Sequence, residues 1–195
     1  MGHKAKEIFM SVERLLNNLQ VRQREHDIKA HKDIYYLPNP ERIKHLSFHI
    51  AKYAGRLAMP DECEENFTRT LVDTFIIALS ASELLGISLP RAVGVPEDTS
   101  TPVELKDFGL ALSTQLFNGT VSRDWYFRQL ARVAGQMSKA CESLDHLEDF
   151  PFREVITKAV IDLILITIAT AAFLEIDLTS QVHARWNAIE AKQII

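Results

Sequence analysis

With 195 residues, 47% of them apolar and 25% charged, the chain has the composition of a globular protein, with material for one substantial core or two small ones fused face to face. The net charge of −4 comes without a large block of one sign, so the electrostatic footprint of a nucleic-acid binder is excluded. Cys63 and Cys141 stand far apart, which excludes a disulfide framework or a cysteine metal site and fits a reduced, cytoplasmic setting.

The opening Met1-Gly2-His3-Lys4-Ala5-Lys6 is polar and is not read as a secretory leader. Ile8, Val12, Leu15, Leu16 and Leu19 recur at helical spacing and predict a first helix over about 4–28. His31 to Pro40 is a connector, because Leu37-Pro38-Asn39-Pro40 cannot stay helical. A second helix starts at Pro40 or Glu41, carries Ile43, Leu46, Ile50, Tyr53, Ala54 and Leu57, and stops at Met59-Pro60-Asp61. Glu62 to Leu85 is a third helix, ended by Gly86 as a C-cap. Residues 88–102 read as a linker, 103–117 as a short helix and Asn118-Gly119 as a turn. Further helices follow at about 122–144, at about 152–174 after a break at Asp149-Phe150-Pro151, and from Thr179 onward. Strand alternation is nearly absent, so the expected class is all-α. The apolar run Leu163 to Leu174 is too short for a membrane span of roughly 20 residues and is expected inside the protein.

The chain repeats itself. Ala51-Lys52-Tyr53-Ala54-Gly55-Arg56-Leu57 returns as Ala131-Arg132-Val133-Ala134-Gly135-Gln136-Met137. Asp73-Thr74-Phe75-Ile76-Ile77, ending Leu85-Gly86-Ile87-Ser88-Leu89, returns as Asp162-Leu163-Ile164-Leu165-Ile166, ending Leu174-Glu175-Ile176-Asp177-Leu178. Gly55 and Gly135, each inside a helix, are expected where another helix backbone comes close. Upstream of each Asp stands an acid–base–acid ladder: Glu65, Arg69, Asp73 and Glu154, Lys158, Asp162, all at i, i+4, i+8. Apolar neighbours imply that both aspartates are partly buried and need partners. Either Arg69 and Lys158 neutralise them, or each Asp helps to hold a cation or a phosphate-bearing ligand.

This pattern resembles the all-α NTP pyrophosphohydrolase superfamily, the MazG-like and dimeric dUTPase-like proteins. There one helix carries Glu-x-x-Glu around a Gly, the next carries Glu-x-x-Asp, and a long apolar stretch runs out to Gly-Ile-Asp-Leu. The resemblance spans two tandem units, about 43–90 and 126–190. It implies a helical bundle with pseudo-two-fold symmetry, in effect a fused dimer, with the two long apolar helices at its centre and the first helix across the pair. The divisions implied are 1–90 (first helix and first unit), 91–120 (linker and short helix) and 121–195 (second unit), forming one compact whole. In the family the acids hold Mg²⁺, which binds the nucleotide's phosphates and activates a water. Tyr53, Arg56 and Thr70 replace three of these acids in the first unit, and Val133, Gln136 and Ala159 in the second, leaving Asp73 and Asp162. Mg²⁺ wants carboxylate oxygens, so no cofactor is expected and metal-dependent hydrolysis is expected to be lost.

Other residues could rebuild a site. His45 and His49, at i, i+4, have spacing that suits a transition metal, with a third ligand from Asp73, from Glu64 or Glu65, or from the other half of the chain. Glu65 and Glu154 could support Asp73 and Asp162 if Mg²⁺ binds. Lys52 and Arg132 match across the copies, as do Arg69 and Lys158, and with Arg56 they could grip phosphates directly. Arg185-Trp186-Asn187 is similar to a family tail that approaches the nucleotide, while Trp186 also reads as a packing residue. Asp145, His146, Glu148 and Asp149 read as a solvated turn. No Walker loop, dinucleotide fingerprint or catalytic Ser/His/Asp arrangement is apparent. The expected function is therefore a MazG-like protein without catalysis that binds a nucleotide or a protein partner, possible also as a homodimer. The alternative is a working enzyme that cleaves an NTP or dNTP to its monophosphate and pyrophosphate with Mg²⁺ at Asp73 and Asp162.

Overall fold

The structure is a computed structural model that describes residues 11–59, 64–95, 103–115, 117–118 and 121–192. The stop at Pro60-Asp61, Cys63, Gly119, the later part of the linker and the helix start before residue 11 lie outside the described residues. Every regular element described is a helix: α1 (Val12–Ala30), α2 (Lys32–Tyr35), α3 (Asn39–Leu57), α4 (Glu64–Leu84), α5 (Leu89–Ala92), α6 (Leu105–Gln115), α7 (Arg123–Asp145), α8 (Phe152–Phe173) and α9 (Leu178–Ala191). Two short helices occupy stretches read as connector and linker. Each covers four residues, too few to show apolar periodicity.

Local chemistry sets the helix ends. Ser11, Ser122 and Asp177 cap α1, α7 and α9, each accepting a hydrogen bond from a backbone N–H three residues on. The exits of α4 and α8 are built alike. Gly86 and Glu175 adopt left-handed φ values of 68° and 56°. The amide of Ile87 donates back to the Ser82 carbonyl at 2.9 Å, and that of Ile176 to Ala171 at 2.8 Å. Both are Schellman ends with an apolar residue folded back onto the helix. The repeated Leu-x-Ile motif is thus a repeated helix stop.

α3 packs on α4 and α7, and α8 packs on α4 and α7. One apolar core runs through this four-helix arrangement, with Phe75, Leu79, Leu130, Leu163 and Ile164 at 0% exposure. α6 lies on α8, while α1 packs chiefly on α4 and α5, and also on α2 and α9. By length and composition α8 could cross a membrane, but two thirds of its most apolar stretch is buried among the other helices.

The glycine expectation is overturned. A Cβ on Gly55 or Gly135 would meet nothing within 4 Å, and both residues are exposed. They lie on outward faces of α3 and α7. The close approach falls instead at Gly109 of α6, where a Cβ would stand 2.6 Å from the Ala172 Cβ and 2.8 Å from the Ile168 carbonyl oxygen of α8.

α9 is locked to α1 by buried polar chemistry. The Trp186 indole, 1% exposed, donates to the Gln23 side chain at 2.8 Å. Gln23 donates to Asp27 at 2.7 Å, and Ser80 of α4 donates to the other Asp27 oxygen at 2.6 Å. Glu190 meets Lys29 at 2.6 Å, Arg22 at 2.7 Å and His26 at 3.0 Å. Lys29 and His26, then Arg22, pull the Glu190 carboxyl down to about 2. A depressed carboxylate stabilises the fold above its ordinary value and loses that contribution as pH falls. Urea midpoints should therefore drop between pH 4.5 and about 2, and Glu190→Gln should flatten that limb. An unchanged slope in the variant would show that this cluster does not carry the acid response.

Candidate functional site

The site is built around Asp73 in the middle of α4, a carboxylate only 5% exposed. An apolar helix buries it, so its charge has to be met locally. Arg185 meets it from α9, with Nε 2.6 Å from Oδ1 and Nη2 3.4 Å from Oδ2. Arg56 reaches Oδ2 from α3 at 3.7 Å, and Arg69 from the preceding turn of α4 at 3.9 Å. Three helices thus deliver three guanidinium groups to one carboxylate. The i, i+4 ladder expected between Arg69 and Asp73 is present but long. The short bonds come from α9, 112 residues away in sequence.

Arg56 also donates to the Thr70 hydroxyl at 3.2 Å, at the position where the resemblance calls for a third acid. Its guanidinium lies 5.3 Å from the Tyr53 ring centroid, and the Lys52 ammonium lies 4.9 Å from the same ring. Partial burial, then repulsion from Arg56, Arg185 and Arg69, holds the Lys52 ammonium below its usual value, with Asp73 pulling the other way. Burial, reinforced by Asp73, pushes the Tyr53 hydroxyl up, so it stays a donor. Lys52, Arg56, Arg69 and Arg185 therefore share one neighbourhood. A groove of about 400 Å³ opens beside it between α4 and α9, with Glu65, Arg69 and Arg185 in its walls. Even with Glu65 counted, cations outnumber carboxylates here.

The histidine pair continues this surface inward. Lys52 donates to His49 Nδ1 at 3.1 Å, and the Tyr53 hydroxyl lies 3.2 Å from the same nitrogen. His49 Nδ1 is then an acceptor, which leaves its Nε2–H to donate to His45 Nε2 at 3.1 Å. Burial, with repulsion from Lys52 and His45, lowers His49 to about 4, so the imidazole is neutral at physiological pH. Among the described residues no group of three or more His, Cys, Asp or Glu is placed to hold a metal ion. Neither the histidine pair nor Asp73 with Glu65 gathers the ligands expected of a metal centre. A carboxylate already shared by three guanidinium groups does not fit Mg²⁺, which wants oxygen donors and repels cations.

The surroundings of Asp162 are different. Asp162, its side chain 22% exposed, pairs with Arg132 of α7 at 3.0 Å. Arg132 is held in turn by Gln129 and by Gln136, each at 3.0 Å. The expected partner, Lys158, is exposed and makes no ion pair with Asp162. Arg132 is the repeat counterpart of Lys52, so a cation of α7 takes the role that α9 plays for Asp73. Glu154 is exposed at the start of α8, beside an open groove with Lys158 and Asp162. In the acidic turn, Asp145 pairs with Lys44, and Glu148 with Lys139 at 3.0 Å. Comparison of the chain with protein-family models, with curated proteins and with solved structures finds no match.

Proposed function

We propose that this protein is a non-catalytic, nucleotide-binding member of the MazG-like pyrophosphohydrolase fold, built as two degenerate tandem units related by a pseudo-two-fold axis. The observation that carries the reading is the cage of Arg56, Arg69 and Arg185 around the buried carboxylate of Asp73. In an active site of the resembled kind, acids gather a cation, and the cation gathers phosphates. Here the cations belong to the chain. Asp73 organises three guanidinium groups, and their remaining donors with Lys52 offer a surface for phosphate oxygens without metal. The equal lengths of the stretches Asp73 to Ser88 and Asp162 to Asp177 and the matching Schellman ends of α4 and α8 support the tandem reading.

Hydrolysis needs an activated water, and neither Asp73 nor Asp162 is free of a guanidinium partner to act as its base. The purified chain should release no pyrophosphate from a panel of NTPs and dNTPs with Mg²⁺ or Mn²⁺. Turnover that disappears in Asp73→Ala or Asp162→Ala would establish the enzyme reading instead.

A further inference from the structure

Arg42, in the first turn of α3, is 7% exposed. Its guanidinium lies over the Tyr35 ring of α2, with Cζ 4.6 Å from the centroid. Among the described residues its side chain has no ion pair and no hydrogen bond. The residue is largely covered, yet its guanidinium nitrogens still reach solvent and no carboxylate answers its charge. Stacking uses the face of the group, whereas its N–H donors lie in its plane and remain available.

Arg42 and Tyr35 line a small, partly open cavity of about 80 Å³ between α1, α2, α3 and α4. The apolar part of its wall is Ile34, Leu46, Ile76 and Ile77. One carboxylate lines it, Asp27, and both its oxygens are taken, by Gln23 at 2.7 Å and Ser80 at 2.6 Å. His31, His45 and His49 also line it. Burial lowers His45 and His49, so Arg42 is the permanent cation of the wall. A cavity of this size is about half of one that accepts benzene (roughly 150 Å³). An occupant therefore has few heavy atoms. One cation calls for one negative charge, and the aliphatic wall calls for a short apolar body.

We infer that this cavity binds a compact organic carboxylate, its two oxygens on the Arg42 fork and its short tail against Ile34, Leu46, Ile76 and Ile77. A planar carboxylate matches the guanidinium in a bidentate pair. A phosphate dianion would lack a second permanent cation and would face an aliphatic wall. The site does not use Arg56, Arg69 or Arg185, so it is independent of the nucleotide reading.

The test is an amide-resolved NMR titration of the full isotope-labelled chain with propionate, propionamide and inorganic phosphate in parallel. Propionate should give saturable shifts confined to the last turns of α1, α2, the N-terminal half of α3 and the facing turn of α4. Propionamide should give none, and Arg42→Gln should weaken propionate by about tenfold or more. Should Arg42→Gln lose its dispersed spectrum, Arg42→Lys replaces it: the charge stays, the fork is lost and the affinity still falls. The inference is overturned if propionate does not saturate, if propionamide matches it, if the variant that folds binds unchanged, or if phosphate binds these same residues more tightly. Failure of the nucleotide site would be read elsewhere, at α9.

Discussion

Replacing Gly109 with valine should destabilise the protein by about 3 kcal/mol, at the upper end of what overpacking a core costs. The first added carbon already stands 2.6 Å from the Ala172 Cβ and 2.8 Å from the Ile168 carbonyl oxygen. One of these neighbours is backbone inside α8, so no rotamer change can relieve the clash. α6 has to move off α8, and Phe108 and Leu112, both buried, would lose their packing with it. Gly109→Ala should cost less but keep the sign. Gly55→Ala and Gly135→Ala should do the opposite, each stabilising by about 1 kcal/mol through helix propensity alone, since a Cβ there meets nothing within 4 Å. Chemical denaturation of the four variants checks all of this in one series. A neutral Gly109→Val would mean that α6 does not sit on α8 as described.

Asp73→Ala should cost about 2 kcal/mol in the absence of ligand. Removing one member of a buried ion pair costs more where the remaining charge is sealed in. Here the side chains of Arg56 and Arg185 are 31% and 23% exposed and can turn toward water, which reduces the penalty. The diagnostic consequence concerns anions. With Asp73 gone, three guanidinium groups face each other without a counter-charge. A triphosphate should therefore raise the melting temperature of Asp73→Ala by more than it raises that of the wild type. A metal-binding aspartate would behave in the reverse way, its loss abolishing the nucleotide effect. Arg185→Gln should weaken the nucleotide effect in both backgrounds.

Much of this architecture is legible in the sequence because it rests on local rules. The stripes at Ile43, Leu46, Ile50 and Tyr53 place α3, and the long apolar runs after Asp73 and Asp162 place α4 and α8. The Leu-x-Ile exits encode helix stops through backbone geometry that a six-residue window contains. The candidate site is less legible, because its strongest bond joins residues 112 apart. Arg69 stands at the right spacing to pair with Asp73, but Arg185 arrives on a helix docked by Trp186, Gln23 and Glu190, and no helical periodicity encodes that return. Gly55 and Gly135 misled for the same reason. Repetition shows that a position is kept in both halves of one chain, not which face of the helix it occupies. Gly109 and Arg42 carry no local signal at all. One depends on how near α8 passes, the other on α2, a helix of four residues in a stretch read as connector.

The cations of this site belong to the protein. Calorimetric titration with a nucleoside triphosphate in chelator-treated buffer, for the wild type and Asp73→Ala side by side, tests it most directly. Binding should persist without divalent metal, weaken steeply as salt is raised, and be equal or tighter in Asp73→Ala. Binding that requires Mg²⁺ and vanishes when Asp73 is removed would show instead that Asp73 holds a metal ion.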